Sequence, residues 1–447
     1  MRYRNRVIWL GLMAAILCVP GVTRAQPNNY EVPGQAAPNI PLPIGNSRME
    51  GGGFYTAFEF LLMKQNVSIG SQTVAHRGLY DFTGNVGAAL GLNRAPGSFF
   101  GPRPLVEALN TNDLGRGSYA PGYSITMGYK FDDGTAFYAT FAQLFDVKYS
   151  AGVSAIAPGY QFGNNLLGTF LSSGVVNFPS QYNGPVGIGD PGDTAIDQPA
   201  QVGIVNIPNA PIIVIRPDGT TIVVPSPPDQ LVLTNQTPGN TAGIWNAADV
   251  MDIQFLQRYT QAAIGARTPI YETDYSRVYG LAGGQFNWFF ERFTWRTTDL
   301  DVLGGARPEW AATYSNTLSQ RMYGAFVGCG HEVYLGNNFG LSLDLTAAIL
   351  LDIVKQRVKY ERADDTTQAK RSQNDYAIVP NLNANLHLWW YPIQGVQMRV
   401  GYNAMTFFNT WRMDQAIGFD FGRIDPVYDK GYFRFLQGLD VGIGFSF

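Results

Sequence analysis

Between residues 341 and 353 apolar side chains occupy every second position: Leu341, Leu343, Leu345, Ala347, Ile349, Leu351 and Ile353, with Ser342, Asp344, Thr346 and Asp352 among the residues between them. A period of two means extended chain, because successive side chains of a strand point to opposite faces of its sheet. The same design returns three times in succession. Over 376–390, Tyr376, Ile378, Leu382, Ala384, Leu386, Leu388 and Trp390 alternate with Ala377, Asn381, Asn383, Asn385 and His387; over 396–404, Val396, Met398, Val400 and Tyr402 alternate with Gln397, Arg399 and Asn403. The final segment sets Phe433, Phe435, Leu439, Val441, Ile443, Phe445 and Phe447 against Arg434, Gly438, Asp440, Gly442, Gly444 and Ser446, with Gln437 interrupting the apolar set.

Beyond residue 25 no run reaches the roughly 18 apolar residues a membrane helix needs, so a membrane-spanning structure must be a closed sheet. Each strand of such a sheet has one apolar and one polar face, which fits 45% hydrophobic residues at a mean hydropathy of -0.07. Noisier strands are expected at 53–65, 118–131, 135–148, 250–262, 275–293 and 310–335, the last with a bulge near Gly328 and Gly330. With the four above this gives about 10 strands, an even count that returns both termini to one side. Connection lengths agree. Asp132-Asp133-Gly134, Gly336-Asn337-Asn338 and Pro392 to Gly395 read as tight turns, while 66–117, 149–249, 294–309, 355–375 and 411–431 are long. Short and long alternate, as inner turns and outer loops do. Only 263–274 is long for an inner turn, and it would raise the count to about 12 if it concealed a strand pair. The expected fold is an all-β, transmembrane, antiparallel up-and-down barrel over 51–447, with long extracellular loops.

The chain opens with Arg2, Arg4 and Arg6 ahead of an apolar run from Val7 to Val19, then Thr23-Arg24-Ala25. That pattern predicts a signal peptide over 1–25, export, and a mature chain starting at Gln26. Residues 26–50, rich in Pro and Asn, read as a periplasmic tail. Cleavage would remove four arginines and no acids and take the net charge from -3 to -7. A mildly acidic surface disfavours nucleic acid as a partner. The insertion 149–249 reads as a long extracellular loop, either lid, plug or surface decoration. Within it, Ile212–Ile215 and Thr221–Val224 flank Arg-Pro-Asp-Gly and suggest a small hairpin.

The sharpest motif is the C-terminus. Asp440, Gly442, Phe445 and the terminal Phe447 fit the signal read by the barrel-assembly machinery: polar residue, glycine, hydrophobic residue, terminal aromatic. An amphipathic edge strand of this kind can pair transiently before a sheet closes. The polar phases of the strands nominate lumen residues: Glu59, Glu291, Asp344, Asp352, Asn381, Asn383, Asn385, His387, Arg399, Arg434 and Asp440. In a narrow barrel, pairing across the lumen is favoured over an open charged pore, since a buried unpaired charge is costly. Trp288, Phe289, Phe290, Trp295, Trp389, Trp390, Tyr391, Phe407, Phe408 and Trp411 are expected in interfacial girdles. Enzyme chemistry is not expected: His76, His331 and His387 are scattered, and HExxH, GxSxG and phosphate-binding loops are absent. His387 with a serine across the barrel is the one lipase-like arrangement to weigh. No cofactor is indicated, and the aspartates at 190–197 lack calcium-loop spacing.

The stretch 375–410, DYAIVPNLNANLHLWWYPIQGVQMRVGYNAMTFFNT, resembles the hallmark region of β-barrel porin family seven, planctomycete-type outer-membrane proteins. The matching residues are Tyr376, Val379, Pro380, Arg399, Val400, Gly401, Tyr402, Phe407 and Phe408. The opening GGGFYTAFEFLL and the hairpin MGYKFDDGTAFYATF resemble the family's N-terminal elements, whereas Gln285 to Glu291 departs from its pattern. The resemblance implies a barrel in the cell outer membrane but supplies no binding or catalytic residue. The expected role is a small porin or passive channel for small solutes, with outer-membrane lipid and the assembly machinery as partners. The alternative is a closed structural or surface-interaction barrel acting through its loops.

Overall fold

A computed structural model describes residues 53–447 except 82–97, 103–105, 176–201, 205–211, 216–220, 225–229, 236–242, 301–305 and scattered shorter stretches. The leader and tail expected over 1–50 lie outside the described residues. Ten strands form the barrel: β1 (Gly53–Gln65), β2 (Tyr119–Lys130), β3 (Ala136–Ser154), β4 (Val250–Glu272), β5 (Ser276–Thr298), β6 (Ala311–Gly336), β7 (Phe339–Arg362), β8 (Gln368–Ile393), β9 (Val396–Gln415) and β10 (Val427–Ser446). Each pairs antiparallel with its neighbours in chain order, and β1 closes on β10 with Tyr55 opposite Ser446 and Gln65 opposite Leu436. Both ends of the barrel chain therefore lie at one rim, the terminal end, together with the short turns.

Those turns use the residues their geometry requires. Gly134 and Gly395 have φ of 83° and 79°, and Asn338 has 65°, the left-handed region where Gly and Asn are least strained. Residues 263–272, expected to be turn, are strand. The small residues there pair with a glycine-rich partner, Gly265 opposite Gly283, so apolar alternation fades while the ladder continues. The strand count is therefore ten. The bulge expected near Gly328 and Gly330 lies instead between Tyr334 and Gly336; at Gly330 a Cβ would strike the Tyr279 ring, so this glycine serves packing.

Several strands, β5 and β7 among them, run further toward the loop end than expected because their apolar phase inverts. On β7 the outward row is apolar from Leu341 to Ile353, then becomes Lys355, Arg357 and Lys359, while Val354, Val358 and Tyr360 turn inward and are buried. On β5 the inward residues Phe293 and Trp295 are fully buried between Arg292 and Arg296. Lipid-type alternation thus gives way to that of a water-soluble barrel with a packed interior. The apolar row of β7 spans ~40 Å at ~3.3 Å per residue, or ~28 Å once tilted by ~45°, close to a barrel's lipid band.

At the loop end the connections 66–118 and 155–249 build a seven-stranded sheet from Thr73–Asp81, Ser98–Pro102, Val106–Asn110, Tyr160–Phe162, Asn165–Ser172, Val202–Ile204 and Gln230–Asn235. The hairpin Ile212–Ile215 with Thr221–Val224 is present as an antiparallel pair. One apolar cluster joins the two bodies: Val74, Ala75, Leu109 and Leu171 of the sheet, and Trp245 of the turn Gly243–Asn246, pack with Phe293, Trp295, Tyr314 and Tyr360 inside the barrel.

An outward row that faces hydrocarbon should reject charge. Ile349 is 71% exposed in the middle of that row, so Ile349→Arg is expected to cost about 2–4 kcal/mol of folding stability in phospholipid vesicles. Urea titration checks this, and an unchanged midpoint would mean that the row faces water.

Candidate functional site

The lumen has two different halves. Toward the terminal end lies a cavity of about 240 Å³ lined by Glu59, Arg267, Asp344, Asn383, Asn385, His387, Arg399 and other inward residues. Its charges are arranged in two groups. In one, Arg399 of β9 pairs with Glu59 of β1 and lies 3.5 Å from Asp440 of β10, while Asp440 accepts from Asn403 at 2.9 Å and faces His387 Nε2 at 3.5 Å. The Arg399 guanidinium sits 5.3 Å from the Trp389 ring, and Trp389 Nε1 donates to Ser342 at 2.8 Å. In the other, Arg267 of β4 stands 4.3 Å over the Tyr279 ring and 3.6 Å from Asp344, which Tyr279 also hydrogen-bonds. Fixed pairs of this kind lower the cost of burying charge.

Above the cavity the lumen is filled by the wall's own side chains. Tyr259, Phe289 and Phe407, from β4, β5 and β9, meet with ring centroids 4.8, 5.0 and 6.5 Å apart. Met63, Met322, Leu350, Val379 and Leu436 are buried around them. Next comes a buried ion pair, Arg434 of β10 with Glu291 of β5, the side chains 0% and 1% exposed. Its remaining atoms are largely satisfied: Glu291 also accepts from Ser68, and from Gln65 and Gln257 at 3.3 Å, while Arg434 Nη2 donates to the Trp411 carbonyl at 3.1 Å.

Two connections fold inward on top of this layer. Gly70 N–H bonds the Met413 carbonyl at 2.6 Å, and Gln72 exchanges side-chain hydrogen bonds with Ile417 N–H and C=O at 2.9 and 2.8 Å. Tyr314 Oη and Asn316 Nδ2 donate to the Ala416 carbonyl at 2.8 and 2.9 Å, and Tyr360 Oη to that of Gly418. The wall thus supplies the hydrogen bonds that the buried backbone of 416–418 needs.

Of the eleven nominated residues, Glu59, Asp344, Asn383, Asn385, His387 and Arg399 line the cavity, and Asp440 is buried in its ionic group. Glu291, Arg434, Asp352 and Asn381 are buried above, where Asn381 accepts from Gln285 at 2.9 Å. Missed were Arg267, which fell in the presumed turn, and Ser68 and Gln257, neutral groups whose role depends on a distant carboxylate. At the C-terminus Gly442 faces Glu59, whose Cγ would lie 2.7 Å from an added Cβ, and Phe447 is 83% exposed with its N–H on the Phe54 carbonyl. The girdle expectation is corrected: Phe289, Trp295, Trp389, Tyr391, Phe407 and Trp411 are buried inside, because alternation lets only every second ring, such as Trp288 or Trp390, face outward.

His76 lies on the loop-end sheet, its imidazole pushed down by burial against the opposing pull of Glu107. Hydrogen bonds from Thr73 and Asn110 hold the Glu107 carboxyl below its usual range. Among the described residues no group of three His, Cys, Asp or Glu is placed to hold a metal ion.

No protein-family model matches the chain, and no curated relative matches it. Among solved structures it is similar to the outer membrane protease OmpT from Escherichia coli, 7% identical over 88% of this chain and 97% of that one, with a TM-score of 0.37. It is also similar to a Pseudomonas aeruginosa FadL homologue, 11% identical over 90% and 92%, TM-score 0.25, and to the TodX deltaS2S3 mutant, a monoaromatic hydrocarbon channel, 8% identical over 89% and 90%, TM-score 0.23. The expectation that the chain is not an enzyme is withdrawn: the first of these structures is a protease, and at a TM-score of 0.37 it assigns no activity to this chain. That expectation relied on local motifs, whereas a barrel can assemble a site from strands and loops far apart in sequence. At this identity none of the three transfers a residue's role.

Proposed function

We propose that this chain is an outer-membrane barrel that is closed to solutes as folded and acts through what it presents at its loop end. The observation that carries the reading is the filled cross-section at Tyr259, Phe289 and Phe407, sealed above by Arg434–Glu291 and by the inward segments 66–72 and 416–418. The loop-end sheet supports a structural or surface-interaction role, because it shares its core with the upper lumen and stands outside the lipid belt. In this reading the loop end is extracellular and the terminal end periplasmic. The outward apolar rows support the membrane placement. Kinship with β-barrel porin family seven is part of the proposal and rests on residues 375–410.

A channel role has one specific observation in its favour, the polar cavity on the terminal side; it requires the aromatic layer to part. Planar bilayers separate the readings. Purified protein is expected to give no conductance steps above background, and stable steps from the unaltered chain would overturn the closed reading. Replacing 176–242 by a short turn, which spares Trp245, is expected to alter adhesion or envelope integrity with solute uptake unchanged.

The Arg434–Glu291 pair should behave as a lock. Arg434→Met or Glu291→Leu alone is expected to cost about 3–5 kcal/mol by leaving an uncompensated buried charge, and the double variant should recover most of it. Denaturant titration of the four proteins measures this, and additive single effects would show that the two groups act independently.

A further inference from the structure

The outward surface of β5, β6 and β7 changes character within a few residues. Trp288, Tyr323 and Ile353 belong to the apolar and aromatic belt; Arg321 stands exposed level with Trp288 and Ile353, and Arg292, Lys355 and Arg357 stand exposed directly toward the loop end. The ladder register groups these cations. Arg321 lies opposite Trp288 on one side and Ile353 on the other; Ser319 lies between Phe290 and Lys355; Thr317 lies between Arg292 and Arg357. The patch is three strands wide, ~10 Å at ~4.8 Å per strand.

Its interior is built from rings and a hydroxyl. Trp288 Nε1 donates to Ser319 Oγ at 2.9 Å, Arg321 lies 5.9 Å from the Trp288 ring, and Arg292 lies 5.3 Å from the Phe290 ring. Neighbouring acids are engaged elsewhere: Asp146 binds Arg258 of β4 at 2.6 Å, Glu361 pairs with Lys359, and Asp252 lies 3.9 Å from Arg296. Among the described residues no carboxylate lies within ion-pair distance of Arg292, Arg321, Lys355 or Arg357. Four like charges held together on a rigid sheet repel one another until an anion arrives. Guanidinium forks match phosphate oxygens, and rings at the belt edge suit a headgroup boundary.

We propose that this patch binds a phosphomonoester-bearing lipid of the outer leaflet, its phosphate among Arg292, Arg321, Lys355 and Arg357 and its acyl chains along the outward row through Ile353 and Ile349. The apolar row that continues below the cations favours a lipid over a soluble phosphate, and the four charges favour a dianionic monoester over a monoanionic diester. The proposal rests on the membrane placement given above and is independent of whether the lumen conducts.

The test uses the full barrel in phosphatidylcholine nanodiscs carrying a minor fraction of phosphatidic acid or of phosphatidylglycerol, with the lipid retained by the protein after detergent extraction as the readout. Phosphatidic acid is expected to be enriched over phosphatidylglycerol. Each cation changed to Gln should lower that enrichment about fivefold, cumulatively from R321Q and K355Q to the variant with all four changed. Arg423→Gln, at an 80% exposed side chain elsewhere on the loop end, should leave it unchanged. Equal retention of the two lipids, or full retention by folded R321Q and K355Q, would overturn the site. Failure of the unaltered barrel to enter the discs would overturn the membrane placement and this proposal with it, whereas conductance in bilayers would bear only on closure.

Discussion

Every backbone N–H and C=O that lies in hydrocarbon must find its partner inside the protein, since leaving one unpaired costs several kcal/mol. A ring of ten antiparallel strands meets that demand, and it does so only when β1 and β10 join. The seam has a steric condition at Gly442, where Glu59 crosses into the lumen to reach Arg399. Asp440, two residues earlier, completes the same ionic group. Asp440 and Gly442, which read as part of an assembly signal, are thus also structural parts of the closed barrel.

The inversion of the apolar phase follows from having two solvents along one strand. Where lipid surrounds the wall, apolar groups gain nothing by pointing inward and the lumen can hold charge. Where water surrounds it, the outward row turns polar and the interior must bury apolar surface as any soluble domain does. Arg434 and Glu291 sit near the junction of the two regimes, beneath the packed upper core and beside the aromatic layer. The capped turn Thr111–Leu114, with Asn110 and Asp113 forming a reciprocal box, and the Thr111 hydrogen bond to Gly70 C=O at 2.7 Å, tie the loop-end sheet to the inward segment 66–72.

Ten strands, their order and the end that carries the long loops were legible in the sequence, because lipid imposes a strict alternation on the lower part of each strand. The upper parts of β5, β7, β8 and β9 were not. There Trp295 of β5 and Val358 and Tyr360 of β7 follow the opposite phase, and the outward apolar rows end where the phase flips. The inward polar residues could be nominated from the same alternation, but their partners could not, since Glu291 and Arg434 or Arg399 and Glu59 come together only through barrel closure. Nor does periodicity show that 416–418 folds into the lumen, because its backbone is satisfied by Tyr314, Asn316 and Tyr360 from other strands.

On the closed reading proposed above, magnitudes decide how firmly the lumen is shut. A passage would have to displace Tyr259, Phe289 and Phe407, each buried side chain contributing about 1.5–3 kcal/mol, and to separate Arg434 from Glu291 at about 3–5 kcal/mol. The cost, on the order of 10 kcal/mol, is comparable with the whole stability of a typical domain. At about 1.4 kcal/mol per factor of ten, thermal motion would open roughly one molecule in ten million. Any agent that opens the barrel must therefore bind the open form better by a similar amount. The cavity's charged side chains already pair with one another, so a solute there gains little by widening it. The loop-end sheet packs on the same apolar cluster as the upper lumen, and a force applied to it reaches the inward segments through side chains already in contact.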